Sequence, residues 1–365
     1  DNLDSVLHAR TARLTVHDPY VESAIMLRGQ RVPLAANFTA GYGVWLARAN
    51  FNRQSLRSLL GREGGIDRPH VYLMQPYDPN RRIIVMLHGL ASSPEAWVEL
   101  ANEILGDEAL RQHYQIWQVY YPTNMPVALN HAMIRRALGE TLTHFDPSGQ
   151  APASSDLVLV GHSMGGVIAR LMVSSTDQSL VQLAADHSRL TPQQIRRIDP
   201  MLRFEPFPNV SSAIFIAAPH RGTSVAGGRL GRWMAGFIRF PITVLEELAH
   251  TLAPNAAASS RESLAAIPNS VNNLDENDPF VRTAAGFPIS SQVRYHSIVA
   301  QANSEVALDD SDDGLVPYRS AHLPGAQSEK VIISGHSVQQ SAAAILEIQR
   351  ILREDMALRE AHLQP

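Results

Sequence analysis

The chain has no cysteine and a single lysine, Lys330. Without cysteine there is no thiol nucleophile, disulfide, iron–sulfur cluster or Cys-ligated zinc. With one lysine, not preceded by glycine, a phosphate-binding loop ending in Gly-Lys-Ser/Thr is excluded, and a Schiff base has one candidate. No apolar run approaches the 18 or more residues of a membrane-spanning helix. Basic surplus is missing too: 31 Lys+Arg against 35 Asp+Glu leave −4, so nothing points to nucleic acid. H-E-x-x-H is absent. The acidic run 309–313 fails as a calcium loop, because Ser311 and Ser320 stand at its third and twelfth positions. Gly41-Tyr42-Gly43 fails as a dinucleotide loop, since Leu46 occupies the place of the third glycine. The residues therefore call for no metal and no cofactor, and leave Ser, His and carboxylate chemistry.

Apolar residues make up 45% of the 365, enough for a sizeable core. No fixed-period repeat interrupts the chain. Residues 1–68 are irregular, with Phe38, Tyr42, Trp45 and Leu46 near helical spacing, and read as a helical extension packed on a larger body. From residue 69 to 365 the texture changes. Short apolar runs at 71–74, 83–87, 116–121, 157–160, 213–217, 295–299 and 331–333 are mostly separated by helical periodicity, as at 94–105, 127–145, 167–173 and 338–352. Continuous apolar strands alternating with helices predict an α/β fold, a mostly parallel sheet with helices on both faces. Its ligand crevice lies at the carboxyl ends of the strands. Residues 221–290 depart from the alternation and are expected to form a lid or cap.

Gly161-His162-Ser163-Met164-Gly165-Gly166 follows the 157–160 run and opens a helical stretch. G-x-S-x-G between strand and helix is a nucleophile elbow: the turn strains the serine backbone, flanking glycines relieve the crowding, and the hydroxyl projects at a helix N-terminus. His88-Gly89-Leu90 after the 83–87 run stands where an oxyanion hole is built, with the N–H groups of Leu90 and Met164 as donors. Fifteen histidines compete to be the base. His336 is favoured because it follows the last apolar run, where an imidazole can reach over the serine; His220 is the rival. The orienting carboxylate comes from Asp309-Asp310-Ser311-Asp312-Asp313-Gly314-Leu315-Val316-Pro317, with Asp313 favoured by its place before a tight turn and Asp312 the alternative.

These motifs, with Pro219-His220-Arg221-Gly222, make the chain resemble α/β-hydrolases of the serine esterase/lipase type, and more closely bacterial lipase-like, envelope-associated carboxylesterases. The likeness covers about residue 70 to the C-terminus. It implies an α/β-hydrolase fold, the set Ser163, Asp313 and His336, no cofactor, and a hydrophobic ester as partner. It also implies an extracytoplasmic or envelope location, with anchoring through a removed N-terminal segment. Secreted lipases of related pattern often carry a calcium site or a disulfide, and this chain shows a motif for neither. An acyltransferase would use the same residues; an inactive binding protein on this fold would usually have lost one of the three. Within 221–290, Leu230, Trp233, Met234, Phe237 and Ile238 recur at helical spacing. Trp233 and Phe237 are expected to wall the substrate site together with Leu315, although the same stripe equally fits packing on the sheet.

Overall fold

The computed structural model describes residues 15–49, 68–176, 202–224 and 274–363, with scattered positions among 4–11 and 180–199. Each of the seven apolar runs forms a strand of one sheet: β3 (His70–Leu73), β4 (Arg82–Leu87), β5 (Tyr114–Tyr120), β6 (Leu157–His162), β7 (Val210–Ile216), β8 (Arg294–Gln301) and β9 (Ser328–Ile333). Their order is β3-β5-β4-β6-β7-β8-β9; β3 runs antiparallel to β5 and the other pairs are parallel. Successive side chains of a strand point to opposite faces. In β4, Ile83, Val85 and Leu87 thus enter one apolar core while Ile84 and Met86 enter the other. Helices Val127–Phe145 and Met164–Met172 close the first core, and Val98–Gly106, Glu108–His113 and Ala342–Leu363 close the second. From β4 the chain adds β5 on one side and then β6 on the other. That reversal opens a crevice at the carboxyl ends of β4 and β6, where the His88 and Ser163 segments emerge.

The N-terminal region is only partly helical. Helix Ala40–Ala49 buries Leu46 against Tyr120, with Tyr42 and Tyr72 beside it. Ahead of it, β1 (Ala24–Leu27) and β2 (Gln30–Pro33) form an antiparallel hairpin. Arg28 and Gly29 turn it at φ 52° and 75°, the left-handed pair that a two-residue hairpin loop requires. The Arg111 guanidinium lies over the rings of Tyr20 and Phe38 and holds this region to the main body.

The expected cap over 221–290 is corrected at its C-terminal end. Helix Pro279–Ala284 buries Val281 and Ala284, and Leu274, Ala284 and Phe287 belong to the first core. Buried Arg170 donates to the carbonyls of Ala285 and Phe287 at 2.8 and 3.2 Å, so 274–290 is sheet cover. Thr223 N–H donates to the Leu274 carbonyl at 2.8 Å, which brings the two flanks of 225–273 together. No helix among the described residues is long and apolar enough to cross a membrane.

At the amino ends of the strands, Asp355 of the C-terminal helix is buried among Arg82, Arg294 and Tyr114, which start β4, β8 and β5. Burial alone would raise the carboxyl pKa. Arg82, with hydrogen bonds from Arg82, Arg294 and Tyr114, outweighs burial and the net direction is down. The contribution is thus present above the unfolded carboxylate value near ~3.9 and is lost as pH falls through the folded value. Asp355→Ala leaves two arginines facing one another without their anion and should cost about 3–5 kcal/mol in chemical denaturation at neutral pH. A loss near zero would contradict this reading of the cluster.

Candidate active site

Ser163 joins β6 to helix Met164–Met172 at φ 55° and ψ −124°, a conformation costing about 1–3 kcal/mol for a residue with a side chain. Its neighbours explain why the turn holds. A Cβ on Gly161 would lie 2.4 Å from the Gly165 carbonyl oxygen, and one on Gly165 would lie 2.2 Å from that of Leu87. Only glycine lets these backbones approach so closely. Ser163 N–H donates to the Ile216 carbonyl at 2.9 Å, while its own carbonyl accepts from Gly166 and Val167. The serine is 7% exposed and stands at the positive end of the helix.

His336, on the loop after β9, brings Nε2 to 2.9 Å from Ser163 Oγ and Nδ1 to 2.8 Å from Asp313 Oδ2. A carboxylate only accepts, so Nδ1 carries the proton and Nε2 presents its lone pair to the serine hydroxyl. The other oxygen of Asp313 accepts from the N–H groups of Leu315 and Val316 at 2.9 and 2.7 Å. Asp313 is 4% exposed. Asp312 is exposed and its side chain accepts from Gly314 N–H at 2.7 Å. The carboxylate that meets the imidazole is thus Asp313. Leu315 is 42% exposed; its backbone serves Asp313 on one side and accepts from the Thr223 hydroxyl on the other.

The loop after β4 lies directly on the elbow: a Cβ on Gly89 would be 3.0 Å from Ser163 Cβ. Leu90 N–H donates to no group among the described residues. Met164 opens its helix, so its N–H has no partner within that helix. Two backbone N–H groups without helix partners are what a developing oxyanion needs. His88 supports the loop from beneath. Its ring stacks on Tyr121 at 4.4 Å, Nδ1–H donates to the Gly89 carbonyl at 3.0 Å, and Nε2 accepts from Tyr121 N–H at 3.4 Å. Burial pulls its pKa down to about 4 and keeps it neutral.

His220, the rival base, is buried, and neither ring nitrogen has a hydrogen-bond partner among the described residues. Burial, then Arg170 and Arg221, hold its pKa well below the usual histidine range, and it takes no part in the array. Trp233 and Phe237 lie outside the described residues. One contact has no signal in the sequence: His162 Nε2 lies 2.8 Å from the His336 carbonyl oxygen. Among the described residues no group of three or more His, Asp or Glu could hold a metal ion.

Residues 84–348 match the family described as "Alpha/beta hydrolase family", and the chain belongs to it. No curated protein matches the sequence. Among solved structures it is similar to the mature form of Bacillus licheniformis lipase BlEst2, at 17% identity and TM-score 0.45, covering 79% of this chain and 99% of that one. It is similar also to esterase B from Lactobacillus rhamnosis, at 13% identity and TM-score 0.41, covering 90% and 95%. A metagenomic carboxyl esterase, MGS0156, is 16% identical with TM-score 0.39, covering 76% and 77%.

The two aspartates make the geometry testable. Asp313→Asn presents an amide N–H to Nδ1 and favours the wrong imidazole tautomer, so kcat on an activated aryl ester should fall about 10⁴-fold. Asp312→Asn, which alters a side chain bonded to Gly314 N–H of its own turn, should stay close to wild type. Equal defects in stopped assays of the two variants would contradict the assignment.

Proposed function

We propose that the protein is a serine carboxylesterase, lipase-like in its preference for hydrophobic esters of short-to-medium acyl chains. The observation that carries this reading is the unbroken hydrogen-bonded line from Ser163 through His336 to Asp313 at a strained strand–helix turn. In the reaction, Ser163 Oγ attacks the ester carbonyl carbon while His336 Nε2 takes its proton. Asp313 holds the imidazole's tautomer and balances the charge of the imidazolium. The N–H groups of Leu90 and Met164 receive the oxyanion, each worth about 3–4 kcal/mol of barrier. His336 then protonates the leaving alcohol. Water, activated by the same imidazole, releases the acid from the acyl-enzyme.

The hydrophobic preference is supported by residue pattern. Trp233 and Phe237, with exposed Leu315 on the acid loop, supply an apolar wall for the acyl chain or for a segment of aliphatic polyester. In this reading residues 69–365 form the hydrolase domain, 1–68 an extension on it, and the cap comes from the part of 221–290 between the two flanks joined at Thr223 and Leu274.

Aryl esters of increasing acyl length, a triglyceride emulsion and a solid aliphatic polyester test the proposal together. Short and medium esters should be hydrolysed, and Ser163→Ala should abolish turnover while remaining folded. Polar substitutions at Trp233 and Phe237 should spare short esters and lower longer-chain turnover progressively, since each buried CH₂ is worth about 0.8 kcal/mol. Turnover that survives Ser163→Ala, or no ester hydrolysis at all, would sink the reading. Parallel loss of short- and long-chain activity with thermal stability would sink the wall.

A further inference from the structure

His162 is the residue before Ser163, buried at the end of β6, and the reaction as derived does not use it. Its Nε2 lies 2.8 Å from the backbone carbonyl of His336. A carbonyl oxygen only accepts, so Nε2 carries the proton and donates. Nδ1 is then a bare lone pair; it is buried and has no hydrogen-bond partner among the described residues. The side of the ring that carries Nδ1 faces the loop after β4, for a Cβ on Gly89 would sit 3.2 Å from that nitrogen. The imidazole is thus clamped between the loop that offers Leu90 N–H and the loop that carries the base. Its centroid is 5.0 Å from that of the His336 ring.

We propose that His162 is a positioning residue: through Nε2–H and the His336 carbonyl it ties the base loop to the elbow, so that nucleophile and base keep their separation through both halves of the reaction. The inference rests on the serine-esterase reading above. The side chain of His336 is held by Asp313, but a bond to the ring's Nδ1 fixes tilt better than it fixes the backbone from which the ring hangs. The loop before it is short: Ser334 N–H donates to the Gln301 carbonyl at 3.0 Å, then Gly335 leads into His336. The bond from His162 acts on the base residue's own carbonyl. A loop displaced by about 1 Å at this point can cost two orders of magnitude in rate.

Charge makes histidine workable here. The titratable groups that face His162 are His336, Asp313 and His88. Burial first, then His336, bring its pKa down to about 3, against the raising effects of the His336 carbonyl and of Asp313. It therefore stays neutral when His336 becomes an imidazolium, and no second cation forms beside it.

A pair of amides separates this role from simple packing. In His162→Gln the side-chain amide extends to the position of Nε2 and can still donate to the His336 carbonyl; in His162→Asn it ends one methylene short. Both variants are polar and neutral, and His162→Phe supplies the ring without the donor. On an aryl ester, His162→Asn and His162→Phe should lose roughly 10–100-fold in kcat with KM close to wild type, and His162→Gln should recover most of it. The second-order rate of Ser163 phosphonylation by an organophosphonate should fall in parallel. Thermal melts of each variant show which are folded, and the Gln/Asn comparison suffices if the Phe variant is not. Equal kcat for His162→Gln and His162→Asn in folded protein, or defects confined to KM, would overturn the positioning role. A wild-type protein that neither hydrolyses the ester nor takes the phosphonate would overturn the esterase reading itself, and so the two failures are distinguishable.

Discussion

A Cβ on Gly165 would fall 2.2 Å from the Leu87 carbonyl oxygen, and the backbone of the elbow therefore rests against the end of β4 with nothing between them. The rest of the site depends on that approach. It places the first turn of helix Met164–Met172 beside the loop carrying Leu90. Ser163 stands at positive φ, and its oxygen meets His336 on the loop after β9. The strain is local and the restraint is broad. Hydrogen bonds to Ile216 from Ser163 N–H, and to the Ser163 carbonyl from the next turn, hold the conformation from both sides.

Around this turn, protonation states are set by what each imidazole touches. His88, His162 and His220 are all buried, and burial is the first cause lowering each of their pKa values. Neutral rings in those places can stack, donate once or fill space. His336 differs in what its nitrogens meet: both face side chains, Nδ1 a carboxylate and Nε2 a hydroxyl. Asp313 in turn is bound by two backbone N–H groups of its own turn, which leaves its second oxygen aimed at Nδ1. At the opposite ends of the strands, Asp355 joins the starts of β4, β5 and β8 to the last helix. The sheet is thus anchored by charge at its amino ends and presents its chemistry at its carboxyl ends.

Much of this was legible in residue order. A strand buried on both faces leaves a continuous apolar run, and all seven runs are strands of the sheet. Helix Val127–Phe145 has the bounds that its periodicity predicts. Ser163, Asp313 and His336 could be singled out because each comes after a strand, and the structure brings the three within hydrogen-bond reach. What could not be read depends on contacts between distant segments. The hairpin β1–β2 has four-residue strands with mostly exposed side chains, so no alternation betrays it. Residues 274–290 look like cap from their Pro and Gly content, yet Arg170 binds their carbonyls and Phe287 enters the core. The bond from His162 to His336 spans 174 residues and ends on a backbone atom, for which no side-chain pattern exists.

In the proposed reaction Ser163 carries the acyl group as a covalent intermediate. An aryl ester whose acyl group is hindered, mixed with excess protein and quenched in acid within milliseconds, tests it most directly when the digested protein is read by mass spectrometry. The expected result is a burst of phenolate matched by a single acyl group on the peptide containing Ser163. Phenolate release with no acylated peptide, or an acyl group found on another residue, would contradict it.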